Sequence, residues 1–185
     1  MRIDKVLALA ERGHAGQFRK DGKTLYIQHP ISICDWLYTL KYTSTPFAEE
    51  LNKEDFNAYA IALMHDLLED TSITDQEIFD VSNHYVSRCV NILTFKEDKN
   101  NPFCKMEYLK NIVNFGEIPL IIKCIDRICN TYDFYRDGNK VYAKNYFHKA
   151  DILWNAIYQE RSIFHNNLWN EIINLNNLFK NKELK

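Results

Sequence analysis

The chain has 185 residues, a formal net charge of −2, and 46% hydrophobic and 14% aromatic residues. This length supports one well-buried core but is short for two ordinary domains, so we expect a single domain over residues 1–185. The near-neutral charge argues against the basic surface that binds DNA or RNA, and no apolar run reaches the about 18 residues that a membrane span needs. We therefore expect a cytoplasmic protein without a nucleic-acid or membrane partner, either a monomer or a homo-oligomer.

Apolar residues recur at helical spacing along the chain, and no segment keeps the alternation of a strand. Only five Gly and four Pro interrupt this pattern, so we expect an all-α fold. In chain order, the predicted helices cover 2–14, 31–40, 55–69, 74–81, 84–94, 103–114, 118–132, 141–160 and 162–179. Polar loops at 19–23 and 96–102 are expected to lie over a cleft.

Local signals support several of these boundaries. Thr74, three residues before Glu77, predicts a capping box, and Pro119 falls in the first turn of a helix, where its missing N–H costs nothing. The last predicted helix is amphipathic, and packing on its own domain is the favoured interpretation, with an oligomer contact as the alternative. Five cysteines without a C-x-x-C pair indicate reduced core thiols rather than disulfides or a thiolate zinc site.

One apolar segment carries a cluster of titratable side chains. His65 and Asp66 are followed by Glu69 and Asp70. Residues four apart on a helix share a face, at roughly 5–6 Å between Cβ atoms, so Glu69 is expected over His65 and Asp70 over Asp66. Burying a carboxylate costs several kcal/mol unless it is paired or bound to a cation. A divalent cation would provide that compensation.

Two further places offer ligands for such a cation. His29 precedes Pro30 at a helix start, and Asp126 lies on an apolar helix with Asn130 four residues on. Each residue alone has a simpler explanation, as a capping group, a hydrogen-bonded pair or a surface ion pair. Together they form a set that suits a hard or borderline divalent metal with a position open for water, and the predicted ligands are His29, His65, Asp66 and Asp126.

Four segments, 14–22, 26–30, 65–71 and 123–130, resemble the HD-domain phosphohydrolases, and more specifically the SpoT-type alarmone hydrolases. The resemblance covers about residues 4–150, and the 146–150 segment is similar to the small stand-alone metazoan homologues. It implies an HD-type helical bundle with the metal site in its core, followed by C-terminal helices over about 141–180. We expect a single-function form without the synthetase and regulatory domains of longer members.

The resemblance also implies a chemistry. The four ligands would bind one Mn²⁺, and the substrate would be the stringent-response alarmone (p)ppGpp, cleaved at its 3′-diphosphate to give pyrophosphate. The mixed His and Asp ligands would also suit iron, cobalt or zinc, and Glu69 and Asp70 leave a second ion open. The family's Leu-Ala-Asp-Arg-Leu-His-Asn segment reads Cys-Ile-Asp-Arg-Ile-Cys-Asn at 124–130, and the continuation after Asn130 also differs. These departures bear on the substrate more than on the fold.

We assign the remaining candidates by chemistry. Glu69 and Asp70 would orient a water molecule and carry its proton, with Glu69 having the larger kinetic effect, although a solvated helix end is the simpler alternative. The predicted substrate-binding residues are Arg19, Lys20, Tyr26, Asn130, Tyr146 and Lys99, with Lys105 as a further phosphate contact. His14 is expected to support the metal ligands without binding the ion, and Arg127 to pair with a carboxylate near the site.

These residues are compatible with three functions, of which two are enzymatic and one is non-catalytic binding. The first is a metal-dependent (p)ppGpp 3′-pyrophosphohydrolase, which could detoxify alarmones made by another enzyme. The second shares its chemistry and removes a phosphate from another ribose-phosphorylated nucleotide such as NADPH. The third is a non-catalytic nucleotide sensor or an antidote that binds a toxin, against which the retained acid pair argues, because a binder needs no acid pair.

Overall fold

The computed structural model describes residues 1–159 and 162–180, and it is built of helices. Over these residues the elements are α1 (Asp4–Gly13), α2 (Gln28–Thr39), α3 (Lys53–Met64), α4 (Leu67–Asp70), α5 (Asp75–Val81), α6 (His84–Leu93), α7 (Cys104–Phe115), α8 (Glu117–Arg136), α9 (Lys140–His148), α10 (Asp151–Gln159) and α11 (Ile163–Lys180). The described residues form no strand, and β-type backbone pairing among them is limited to isolated bridges. The all-α prediction is confirmed.

Several predicted helices have different boundaries in the structure. The helix predicted at 118–132 continues to Arg136. The predicted helix 55–69 is divided, because α3 ends at Met64 and α4 begins only at Leu67. The predicted helix 141–160 is likewise divided into α9 and α10, and its last residue lies outside the described ranges. The helix predicted from residue 31 begins at Gln28, so His29 lies within its first turn.

The predicted signals for two helix starts are present in the structure. Thr74 accepts a hydrogen bond from the backbone of Glu77, whose side chain accepts one from the backbone of Thr74 in return, which completes the capping box of α5. Pro119 lies in the first turn of α8. These two helices therefore begin where local chemistry satisfies or removes their unpaired N–H groups.

Two central helices, α3 and α8, organise the core. Residues 58–64 of α3 are all buried, as are residues 119–129 of α8. A helix that is buried on every side is apolar on every side, and both sequences have this character apart from a few titratable positions. Helix α3 packs against α1, α2, α6 and α8, and α8 also packs against α2, α7, α9 and α10. The titratable residues of α2, α3 and α8 are therefore brought together inside the molecule.

The C-terminal helix packs on the same molecule. Its apolar residues Leu168, Ile172, Leu175 and Phe179 are buried by the rest of the chain, which confirms the favoured interpretation of this amphipathic segment. All five cysteines are free thiols, as predicted. Among the described helices, none combines the length and the hydropathy needed to span a bilayer.

Candidate metal centre and active site

Four side chains converge where α2, α8 and the break between α3 and α4 meet. His29, His65 and Asp66 each offer one ligand atom, and these atoms lie within 4.8 Å of one another. Nε2 of His65 is 3.0 Å from Oδ2 of Asp66, and Nε2 of His29 is 3.9 Å from the same oxygen. Oδ1 of Asp126 completes the group, at 3.1 Å from Nε2 of His29 and 3.9 Å from Nε2 of His65. The structure thus brings the four predicted ligands together.

The tautomer of His65 suits metal binding. Its Nδ1 lies 2.8 Å from the carbonyl oxygen of Ala62, to which it donates, and Nε2 is buried and makes no hydrogen bond. A histidine ligand is commonly oriented in this way by a hydrogen bond from its other ring nitrogen. Burial alone would lower the pKa of His65, but the carboxylates of Asp66 and Asp126 raise it to about 10. Without a cation, the ring would therefore hold a proton that neutralises part of the acidic cluster.

Asp126 is held by two groups besides the imidazoles. Burial alone would raise its pKa, but the ammonium of Lys123, 2.9 Å from Oδ2, and the histidines keep the pKa well below its usual range. Nδ2 of Asn130 donates to Oδ1 at 2.5 Å, which confirms that Asn130 and Asp126 share a helix face. The carboxylate is therefore ionised and its orientation is fixed.

Asp66 is oriented by a tyrosine. The hydroxyl of Tyr26 donates to Oδ2 of Asp66 at 2.6 Å and lies 3.2 Å from Oδ2 of Asp70. The ring of His14 stacks on Tyr26 with 4.5 Å between centroids, and its Nδ1 lies 2.8 Å from Oε1 of Gln17. His14 thus contacts the residue that holds a ligand, as predicted for a supporting role.

The break between α3 and α4 corrects the predicted stacking of the acid pair on one continuous helix. Asp66 precedes α4, and its carbonyl accepts from the backbone N–H groups of Glu69 and Asp70 at 3.1 and 2.9 Å. Both acidic side chains are exposed at the edge of the cavity. Oε2 of Glu69 accepts from the N–H of Phe95 at 2.8 Å, and loss of surrounding water raises the pKa of Glu69.

A cavity of about 410 Å³ opens over this centre. Of the predicted substrate-binding residues, it is lined by Arg19, Lys20, Tyr26, Asn130 and Tyr146. Lys99 is exposed and does not line the cavity, whereas Lys105 does. The predicted loop at 19–23 therefore reaches the site. The predicted loop at 96–102 does not line the cavity, and Lys105 in the first turn of α7 does so instead.

Two of the three cations in the 19–23 loop, Arg19 and Lys20, contact α8. Nη2 of Arg19 donates to Oδ1 of Asn130 at 2.6 Å and to Oδ2 of Asp133 at 2.7 Å. Nζ of Lys20 lies 4.2 Å from the ring centroid of Phe134. The loop is thus held against the cavity wall by an ion pair and a cation–π contact.

Sequence reasoning missed several lining residues on α8 and directly after its end. Lys123 and Asp133 line the cavity together with Phe134 and Asp137. Positions 123, 126, 127, 130, 133, 134 and 137 repeat at intervals of three and four, which is the spacing of one helix face. Extending the face of Asp126 and Asn130 in both directions would have found them.

The prediction that Arg127 pairs with a carboxylate is wrong. Its guanidinium carbon lies 3.9 Å from the ring centroid of Tyr146, and Nη1 donates a long bond of 3.4 Å to the carbonyl of the same residue. Over the described residues, no carboxylate pairs with it. Arg127 also lines the cavity, because the pocket extends along α8 to this turn.

Over the described residues, the fold and the site define a helical protein in which two imidazoles and two carboxylates converge beneath a cavity. No protein-family model matches the sequence. The chain is 32% identical, over 99 residues, to the guanosine-3′,5′-bis(diphosphate) 3′-pyrophosphohydrolase of Borreliella burgdorferi, a match that covers 54% of this chain and 13% of that protein. This chain therefore corresponds to a small part of that relative.

A solved structure has the same fold over nearly the whole chain. It is described as a metazoan orthologue of SpoT that hydrolyses ppGpp and plays a role in starvation responses. The TM-score is 0.73 at 19% identity, and the match covers 93% of each chain. The resemblance to SpoT-type proteins that the motifs indicate is thus confirmed by sequence and by fold.

Proposed function

We propose that this protein is a manganese-dependent hydrolase that removes the 3′-diphosphate of (p)ppGpp as pyrophosphate. The observation that carries the proposal is the convergence of two imidazoles and two carboxylates beneath a cavity that also presents an acid pair and several cations. The similarity to the Borreliella burgdorferi pyrophosphohydrolase and to the SpoT orthologue supports this choice of substrate.

The donor set fits one divalent transition ion. His29, His65, Asp66 and Asp126 would hold it, and the buried Nε2 of His65, which lacks a hydrogen-bond partner, is suited to coordinate it. When bound, such an ion polarises a phosphoryl oxygen and makes a bound water molecule more acidic.

The acid pair would manage the proton. The N–H of Phe95 fixes one oxygen of Glu69 at the cavity edge, and Oδ2 of Asp70 lies 3.2 Å from the hydroxyl oxygen of Tyr26. A raised pKa brings Glu69 closer to the range in which a carboxylate both accepts and returns a proton. We assign Glu69 as the principal base and Asp70 as its partner in orienting the water.

The bond changes are those of a hydrolysis. The water oxygen forms a bond to the phosphorus attached to the ribose 3′ oxygen, and the bond from that phosphorus to the 3′ oxygen breaks. Glu69 accepts the proton of the water and returns it to the 3′ oxygen, so that pyrophosphate and a 3′-hydroxyl result. Arg19, Lys20 and Asn130 bind and orient the nucleotide, and Tyr26 and Tyr146 form walls of its pocket.

Turnover of ppGpp by the purified protein with added Mn²⁺ tests this function. We expect pyrophosphate release that is abolished in Asp66→Ala and reduced strongly in Glu69→Gln. NADPH and simple nucleotides are assayed in parallel. Loss of phosphate from NADPH with ppGpp left intact would contradict the substrate, and a biological effect retained by Glu69→Gln without any turnover would indicate a binding protein.

A further inference from the structure

A second group of cations lines the cavity near the N-terminal half of α8. Lys123 and Arg127 are four residues apart on α8, Lys105 comes from the first turn of α7, and all three line the cavity. We refer to these three residues as the cationic cluster. It is separate from Arg19 and Lys20, which contact α8 at Asn130, Asp133 and Phe134.

The charges of the cationic cluster are poorly neutralised by the protein. Lys123 pairs with Asp126, but over the described residues neither Arg127 nor Lys105 has a carboxylate partner. Nζ of Lys105 lies 3.9 Å from the ring centroid of Phe95. Nε of Arg127, a residue that is 5% exposed, is buried without a hydrogen-bond partner. A buried guanidinium N–H left unpaired is costly, and an anion would remove that cost.

The three cations also destabilise one another. Loss of surrounding water, together with the charges of Lys123 and Arg127, lowers the pKa of Lys105 to about 8, although the carboxylates of Glu69 and Asp126 act in the opposite direction. Like charges at one wall of a cavity repel each other, and a bound polyanion would convert this repulsion into attraction. Arginine and lysine together are a common pair for phosphate groups.

The cationic cluster lies beside the metal-ligand group in the same cavity. Nζ of Lys123 is 2.9 Å from Oδ2 of Asp126, so the cluster begins directly beside the metal-ligand group. Ten residues separate Lys123 from Asp133, which is about 15 Å along a helix. Arg19 and the cationic cluster therefore bracket the ligand group from two directions along α8.

We propose that Lys105, Lys123 and Arg127 bind the terminal phosphate of a diphosphate whose first phosphate lies at the metal-ligand group. This inference rests on the proposed function and deepens it, because it assigns the residues that hold the terminal phosphate of the cleaved diphosphate. The cationic cluster forms and breaks no bond. It holds the terminal phosphate, which stays attached to the phosphorus that water attacks, and then retains pyrophosphate until release.

Binding of inorganic pyrophosphate and of orthophosphate tests this subsite without any turnover. Both are titrated by calorimetry into the full-length protein equilibrated with Mn²⁺. We expect pyrophosphate to bind at least about tenfold more tightly than orthophosphate. Lys105→Met should lower the affinity for pyrophosphate by about tenfold. Lys105→Arg should restore most of the affinity. Lys110→Met, a matched change at an exposed position of α7 outside the cavity, should bind as the unmodified protein does.

Substrate length provides the second measurement. We expect the unmodified protein to prefer ppGpp over the guanosine nucleotide with a single 3′-phosphate in kcat/KM, and Lys105→Met to lose most of that preference. Equal pyrophosphate affinity in Lys105→Met and the unmodified protein would overturn the subsite. Loss of pyrophosphate binding in Lys105→Met in a protein that leaves ppGpp intact would support the subsite and contradict the proposed function.

Discussion

The hydroxyl of Tyr26 donates a 2.6 Å hydrogen bond to Oδ2 of Asp66, the same oxygen that lies 3.0 Å from Nε2 of His65. One phenol thus orients a carboxylate that belongs to the metal-ligand group, although it comes from the segment between α1 and α2. Burial, and then the neighbouring carboxylates, raise the pKa of Tyr26, so its hydroxyl remains a donor over the whole physiological range. Tyr26 is therefore a positioning residue as well as part of the cavity wall.

Removal of this hydroxyl should weaken metal binding. We expect Tyr26→Phe to lower Mn²⁺ affinity by about 10–100-fold, because groups that orient a metal ligand contribute at this level. Calorimetric titration with Mn²⁺ measures the change. Tyr158→Phe removes a hydroxyl at an exposed position remote from the cavity and is the matched control. Unchanged affinity in Tyr26→Phe would show that Asp66 is oriented without the phenol.

Metal binding should stabilise the folded chain. At a free Mn²⁺ concentration about a hundred times the dissociation constant, binding contributes about 3 kcal/mol, which corresponds to roughly 5–10 °C in Tm for a domain of this size. Thermal unfolding with Mn²⁺ and with a chelator measures the difference. Asp66→Asn should lose most of it, and an equal rise in that variant would place the ion elsewhere.

The pH dependence of turnover should report the pKa of Glu69. Loss of surrounding water raises its pKa, and a general base works only when ionised, so activity should fall as the pH drops through this raised pKa. The acidic limb of the kcat/KM profile should therefore lie above the about 4.3 of an unperturbed glutamate. We expect Glu69→Gln to lower kcat by about 10²–10⁴-fold with little change in Mn²⁺ affinity. An acidic limb that persists in the residual activity of Glu69→Gln would assign it to another group.

The side chains of Arg19 and Asp133 should contribute to stability in an energetically coupled way. The two side chains are 13% and 25% exposed and lie 2.7 Å apart. A double-mutant cycle with Arg19→Ala and Asp133→Ala should give about 1 kcal/mol of interaction free energy in urea unfolding. The exposed ion pair between Arg2 and Glu49 serves as the control cycle and should give well under half of that. Additive effects of Arg19→Ala and Asp133→Ala would show that the loop is held by other contacts.

Much of the helical framework could be predicted from the sequence. The apolar repeat of α3 and α8 predicts buried helices, and Thr74 with Glu77 predicts the start of α5, because both signals depend on residues within a few positions of each other. The break after Met64 could not be predicted in this way. The segment around it is apolar on both sides and contains no Gly or Pro, so its local pattern continues through a position where the structure does not.

The sequence by itself determined the helical class and the residue types of the candidate site, since His65, Asp66 and Asp126 stand out against apolar helices. Only the tertiary structure decided their distances, and it gave partners that no local spacing reveals. Tyr26 and Asp66 are 40 residues apart, and Arg19 and Asn130 are 111 apart. Such contacts depend on how α2, α3 and α8 pack around one core. Periodicity along a helix reports which face is buried, but it carries no information about which side chain from another helix will meet that face.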